Sequence, residues 1–401
     1  MSTLGIVSSY SESCGIASFA KVLHDTIKLY SNNNVEVVKL DLQLLKAVDK
    51  KTRRYADNHI QDIYKQLKSF DAVNIQMEVG LYGSLPQDII KRSKKLIEAN
   101  PNTSITLHSA QMLATTPVSS LSPLKKLLKL ELKKGISEFI REFNKKKHLW
   151  VNNEIIKNAI KQNCQIIVHT MRAKKHIYNL YQYDRVDVHP LKFVVENSVL
   201  DLTILDRIRF ELGLLATDVL IGIFGFISSS KGHLDALSAI KLLPANYKLL
   251  IFGRQHPQTI EYEKANEYLN TLIKAIESDK VLKNRVFFLG ELTDNEFLSV
   301  AKKIDVAWLP YYENGQEASG IASILLDSCP RVLCSTSFAF DELLKLIPYK
   351  NVMRFCIGNT HELASKTEML LRRTTPSLPY GGNSRYNMQT QVDTYIKILG
   401  S

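Results

Sequence analysis

Strand-length apolar runs alternate along this chain with stretches whose apolar positions recur every three or four residues. The first series of runs falls at Leu4–Val7, Val35–Leu40, Ala72–Gln76, Ser104–His108 and Ile166–His169, with helical spacing at Ser18–Leu29, Asn58–Lys68 and Gln87–Glu98. The scheme then repeats. Runs at Val219–Phe226, Lys248–Phe252, Val286–Leu289, Val306–Leu309 and Val332–Cys334 are separated by helical spacing near His233–Leu242, Tyr262–Ile276 and Asp294–Lys302. Runs that do not alternate in polarity belong to strands covered on both faces, and strand–helix alternation makes doubly wound parallel sheets. The pattern therefore predicts an α/β protein with two such domains. Between the halves, Val195–Gly213 carries a polar break at Glu196-Asn197-Ser198, which places the predicted boundary between residues 197 and 198 and gives domains over 1–197 and 198–385. No repeat at solenoid periods interrupts this.

Size and composition narrow the classes. A chain of 401 residues has room for two cores of roughly 150–200 residues each. No apolar run is long enough for a membrane-spanning helix. Met1 leads into the first strand without a basic flank or cleavage site, which argues against a secretory leader and for a cytoplasmic protein. The five cysteines, Cys14, Cys164, Cys329, Cys334 and Cys356, are scattered without zinc spacing, so neither a disulfide framework nor a structural metal is expected. The net charge of +12 favours an anionic partner: nucleotide-sugar phosphates, an acidic lipid surface or nucleic acid.

One segment stands outside the alternation. Leu121–Trp150 sets Leu124, Leu127, Leu128, Leu132, Ile136, Phe139, Ile140 and Phe143 at helical spacing among nine lysines and arginines, with Gly135 dividing it. Such a segment lies on an anionic bilayer surface or packs on the core with a solvated lysine face. Both readings stay open.

The chemistry gathers in the second half. Val219–Phe226 runs into Ser228-Ser229-Ser230-Lys231-Gly232 at the start of a helix, where hydroxyls, an ammonium and free N–H groups suit phosphate oxygens. The spacing is not that of a P-loop. The next strand ends in Gly253-Arg254, a second cation at the same sheet edge or a surface ion pair. Val306–Leu309 leads through a polar loop to Glu317-Ala318-Ser319-Gly320 at another helix start, where small residues let an anion approach the backbone. In a parallel sheet these ligand-facing groups share one crevice.

With those residues in place, the chain resembles the retaining GT-B glycosyltransferases of the family-4 type. GFISSSKG, LLIFGRQHP, VFFLGEL, DVAWLPYYENGQEASG and VLCSTSFAFDELL are similar to that family's donor domain. Ser13-Cys14-Gly15-Ile16-Ala17-Ser18-Phe19, Asn74–Gly83 and Ile105-Thr106-Leu107-His108 resemble one bacterial branch of it. The matches run in order over most of the chain.

The resemblance implies two facing Rossmann-like domains with a cleft between them, the nucleotide-sugar on the C-terminal one and the acceptor on the N-terminal one. It also implies a final helix, Tyr386–Leu399, that returns to the first domain. By the same resemblance, Gly15, Gly225, Ser228, Ser230, Gln316, Ser319 and Gly320 bind the donor. Lys231, Arg254, His108 and Glu317 serve the transfer, and Gln76 and Glu78 orient the acceptor. Two departures stand out: Phe226 occupies the place of a usual arginine, and Leu325 that of the second of two paired glutamates, which leaves the register of Gln316 and Glu317 open. No cofactor is expected, and with no DxD-like carboxylate pair at a strand end, no metal. The implied function is transfer from a nucleotide-sugar to a glycan or lipid-linked acceptor in surface polysaccharide, lipopolysaccharide or capsule synthesis, at the inner face of a membrane. Alternatives are a glycosyltransferase acting on nucleic acid, a non-catalytic GT-B-like binding protein, and a sugar-nucleotide epimerase.

Overall fold

A computed structural model describes residues 2–10, 15–109, 150–194, 200–255, 264–313, 315–346, 351–373 and 386–400. The chain divides into two compact units, Met1–Pro190 with Gln389–Ser401, and Leu191–Met388. Each holds one six-stranded sheet in which every recorded strand pairing is parallel. The Leu121–Trp150 segment lies outside the described residues, Trp150 excepted, and so does the polar break at Glu196-Asn197-Ser198. Among the described residues, no helix is long and apolar enough to cross a membrane.

The first unit runs β1 (Thr3–Ser8), α1 (Gly15–Tyr30), β2 (Asn34–Lys39), α2 (Lys50–Leu67), β3 (Ala72–Met77), α3 (Pro86–Ile97), β4 (Thr103–Leu107), α4 (150–161), β5 (Gln165–Val168), α5 (Met171–Tyr181) and β6 (Val186–Val188). The strand order is β2-β1-β3-β4-β5-β6. Every residue of β3, β4 and β5 is buried, as strands between two helix layers require. Helix α2 begins well before the predicted Asn58. Asp49 caps it by accepting from the Thr52 N–H at 2.9 Å, but Lys50, Lys51, Arg53 and Arg54 fill its first turns and leave no apolar period to read.

The second unit runs α6 (Ile204–Glu211), β7 (Val219–Phe224), α7 (His233–Ile240), β8 (Tyr247–Phe252), α8 (Lys264–Glu277), β9 (Val286–Gly290), α9 (Asp294–Lys303), β10 (Val306–Leu309), α10 (Gly320–Ser328), β11 (Val332–Ser335), α11 (Asp341–Leu346), β12 (Val352–Phe355) and α12 (Thr360–Leu371). Its order is β12-β11-β10-β7-β8-β9. The two-residue period of the strands divides them between two cores. Leu220, Phe224, Leu250, Phe252, Ala307 and Leu309 face one layer, and Ile221, Ile223, Leu249, Ile251, Val306 and Trp308 the other. Trp308 satisfies its indole by donating to Thr367 Oγ1 of α12 at 3.0 Å. The final helix, α13 (Met388–Ile396), is shorter than the predicted Tyr386–Leu399 and tightens into a 3-10 turn over Lys397–Gly400.

In each sheet the order reverses once: between β1 and β3 in the first, between β7 and β10 in the second. Ligands of doubly wound sheets lie beyond the strand carboxyl ends at such switch points.

Candidate functional site

The second unit's switch point is flanked by the two segments whose chemistry the sequence singles out. After β7 the chain bends at Gly225, whose φ of +101° ends the strand ahead of the predicted Phe226. A 3-10 turn over Ser229–Lys231 then delivers Gly232 and α7. After β10 comes the loop that carries Tyr311 and Gln316. Lys231 Nζ sits 3.6 Å above the centre of the Tyr311 ring and 3.5 Å from Gln316 Oε1. The Gln316 amide is braced by donating to Ala318 O at 2.8 Å. Ser228 and Ser230 bring their hydroxyls within 3.0 Å of each other, and Ser230 O accepts from the Tyr312 N–H at 2.9 Å, which ties the two loops together. Lys231 is half-buried, and among the described residues no carboxylate forms an ion pair with it.

Ser319 caps α10 by accepting from the Ala322 N–H at 3.2 Å, and its hydroxyl stands 3.5 Å from the Tyr311 hydroxyl. Gly320 lies under Phe193: a Cβ there would fall 2.9 Å from the ring. Of the two register alternatives, Gln316 reaches Lys231, while Glu317 is buried. Arg254 stands one strand over, after β8. Its Nε lies 2.8 Å from Glu291 Oε2, yet that nitrogen makes no hydrogen bond, so the pair is coulombic contact without an aligned N–H. With β10, β7 and β8 adjacent in the sheet, Gln316, Lys231 and Arg254 follow three neighbouring strands.

The first unit gathers a different group. His108, just past β4, places Nε2 2.7 Å from the side-chain oxygen of Gln76 on β3, and Nδ1 3.2 Å from His169 Nε2 just past β5. Phe19 of α1 meets the His108 ring edge-on at 5.5 Å. Gln76 continues the network to Asn74 at 2.6 Å and Thr106 at 3.4 Å, and Thr106 reaches the Tyr395 hydroxyl of α13 at 3.3 Å. Burial, then the neighbouring His169, hold His108 well below the ordinary histidine value, and burial pushes His169 down to about 4. Gly15 is the first residue of α1, and among the described residues nothing stands within 4 Å of a Cβ built on it. Among the described residues, packing therefore does not demand glycine there. Ser13 and Cys14 lie outside the described residues.

Glu78 follows β3, and no recorded hydrogen bond links its carboxylate to Gln76 or His108. Burial pushes its carboxyl up to about 7, opposed only by the Val79 N–H. A carboxyl that holds its proton more tightly folded than unfolded costs stability as pH rises from its unfolded value, about 4.5, to about 7. The Glu78→Gln protein should therefore gain stability relative to wild type as pH rises from 5 to 8. Urea unfolding midpoints at both pH values check this, and a mutant-minus-wild-type difference that stays constant would contradict it.

Sequence reasoning missed Tyr311, the surface on which the Lys231 ammonium rests, and His169, the partner of His108. Tyr311 had a readable signal, an aromatic directly after a strand end. His169 ends an apolar run in the same way as His108, and that shared position was its only mark.

No protein-family model matches this chain, and no curated protein matches it. Solved structures do. HepE of Anabaena, in complex with UDP and glucose, aligns over 100% of both chains at 12% identity with a TM-score of 0.65. The UDP-forming α,α-trehalose-phosphate synthase of Burkholderia xenovorans, in complex with glucose-6-phosphate, aligns over 100% of both chains at 10% identity with a TM-score of 0.64. WaaG, a glycosyltransferase involved in lipopolysaccharide biosynthesis, covers 99% of this chain and 94% of its own, at 12% identity with a TM-score of 0.52. The fold is GT-B.

Proposed function

We propose that this protein is a glycosyltransferase of the retaining family-4 kind, moving a sugar from a nucleotide-sugar to an acceptor hydroxyl in surface polysaccharide, lipopolysaccharide or capsule synthesis. The observation that carries the reading is Lys231: a half-buried ammonium without a recorded carboxylate partner, held over Tyr311 at the switch point of the second sheet. An aromatic face and an amide oxygen keep such a cation in place without neutralising it. A departing diphosphate would. Support comes from the full-length likeness to HepE, a protein solved with UDP and also with UDP-glucose.

In this reading the donor diphosphate lies against Lys231, the hydroxyls of Ser228 and Ser230, and the backbone at Gly225 and Ser319-Gly320. Gln316 or Glu317 holds the sugar or ribose, and Arg254 adds a second positive charge. As the sugar–phosphate bond breaks, negative charge grows on the leaving oxygen. Fixed cations and N–H groups stabilise that charge without reorganising, so neither a protein nucleophile nor a metal ion is required. His108 meets the sugar, while Gln76 and Glu78 orient the acceptor, a glycan or a lipid-linked saccharide. The Leu121–Trp150 segment is proposed to hold the protein at an anionic membrane surface where such acceptors reside.

A thermal-shift screen over UDP-, GDP-, ADP-, CMP- and dTDP-sugars tests the reading. One nucleotide class should raise the melting temperature, since a ligand at 100 times its Kd adds about 2.7 kcal/mol. Stabilisation by none of them, with no transfer or hydrolysis of any, would dismiss it.

A further inference from the structure

The His108 network contains a proton count that decides what His108 can offer a substrate. Three contacts lie in line: His189 O to His169 Nδ1 at 2.9 Å, His169 Nε2 to His108 Nδ1 at 3.2 Å, and His108 Nε2 to the Gln76 side chain at 2.7 Å. Each contact needs one proton. Two neutral imidazoles bring two, and a backbone carbonyl brings none. With the amide oxygen of Gln76 facing His108, the chain is one proton short unless the histidine pair carries a positive charge.

Turning the Gln76 amide over supplies the missing proton from its NH2 group, because the two ends of an amide have nearly the same shape. Its oxygen then faces the Asn74 side chain at 2.6 Å, so the Asn74 amide turns as well. The Asn74 oxygen comes to face the hydroxyls of Ser104 at 2.9 Å and Thr106 at 3.1 Å, both able to donate. Each contact from the His189 carbonyl through the two histidines and Gln76 to Asn74 now pairs one donor with one acceptor, and no charge is buried. His169 is 3% exposed, and an imidazolium there would lose its hydration with only neutral partners recorded around it.

We propose that His169 is a positioning residue: it passes the polarity of the His189 carbonyl to His108, which is thereby held neutral with its proton on Nδ1 and offers Nε2 to a substrate hydroxyl as an acceptor. His108 is then not a cation for phosphate. Phosphate stabilisation falls to the lysine and arginine of the second unit, and a sugar hydroxyl would take the His108 Nε2 lone pair in place of the Gln76 N–H, which is then free to donate to the sugar oxygen. The substrate half of this inference rests on the glycosyltransferase reading; the tautomer does not.

Two-bond proton–nitrogen spectra of the full-length protein labelled with 15N-histidine test the tautomer directly. At neutral pH, His108 and His169 should both appear as neutral rings protonated on Nδ1. A doubly protonated ring, or a proton on Nε2 of either, overturns the proposal. Kinetics with the donor found by the thermal-shift screen test the consequence. His169→Gln keeps one donor and one acceptor but cannot hold a charge, and it should retain kcat close to wild type. His169→Phe offers neither and should lower kcat by roughly 10- to 100-fold, as loss of an orienting partner does, with little change in donor KM and with the His108 proton moved to Nε2. Equal losses in both variants, or wild-type kcat in His169→Phe, count against the proposal. Should His169→Phe fail to fold, the wild-type spectra and His169→Gln still decide. Absence of transfer with every donor would remove the glycosyltransferase reading and leave the spectra to judge the tautomer.

Discussion

Replacing Lys231 with alanine is expected to lower transfer by on the order of 100-fold, equivalent to about 2.7 kcal/mol of leaving-group stabilisation, while the melting temperature barely moves. The asymmetry follows from what the side chain touches. Its ammonium lies 3.6 Å over the Tyr311 ring and 3.5 Å from Gln316 Oε1, contacts worth about 0.5–1 kcal/mol at a partly exposed site. Folding therefore gains little from this charge, and a departing diphosphate would gain much. Lys231→Met separates the two effects, because it keeps the apolar stem and removes only the ammonium; it should lose activity as alanine does. Steady-state rates at saturating donor are the measurement. Wild-type turnover in either variant would take Lys231 out of the reaction.

Much of the fold was legible because parallel strands between helix layers announce themselves as unbroken apolar runs. Val219–Phe224 and Val306–Leu309 show this, with both faces of each strand buried in separate cores. The short edge strands escaped for the opposite reason. Val186–Val188 and Val352–Phe355 are mostly half-exposed, so Asp187 and Arg354 interrupt them and the apolar run never reaches strand length. Helix α12 was missed as well: Leu363, Ala364, Thr367 and Leu370 are buried at helical spacing, but threonine and alanine dilute the apolar signal. At the site, Lys231 and Gln316 could be found because each follows a strand closely, and a parallel sheet turns sequence order into a shared edge. The His108–His169 contact spans 61 residues and the His108–Gln76 contact 32. Only sheet order brings such pairs together, and strand order cannot be read from periodicity.

Gly232→Ala should be the most damaging small substitution in the second unit. Gly232 adopts φ +70°, and a Cβ there would stand 1.8 Å from the backbone oxygen of Pro310. No rotamer change relieves a clash with a carbonyl at the end of β10. The left-handed conformation costs alanine about 1–2 kcal/mol, and forcing an extra carbon into a packed contact about 1–3 kcal/mol more. A total near 3 kcal/mol predicts a melting temperature lower by roughly 6–12 °C for a unit of this size. Gly213→Ala is the control: its φ is +63°, but among the described residues nothing stands within 4 Å of the added carbon, so about 1–2 kcal/mol of left-handed strain is all it should show. The larger loss at Gly232 has a functional side. Gly232 caps the turn that presents Lys231, and that turn is tied to the β10 loop by the Tyr312-to-Ser230 hydrogen bond. Pushing the turn off Pro310 moves the ammonium from Tyr311, so transfer should fall even below the unfolding temperature, whereas Gly213→Ala should transfer normally. If the two variants melt alike, the close approach of the Lys231 turn to β10 is wrong, and with it the geometry on which the proposed donor site rests.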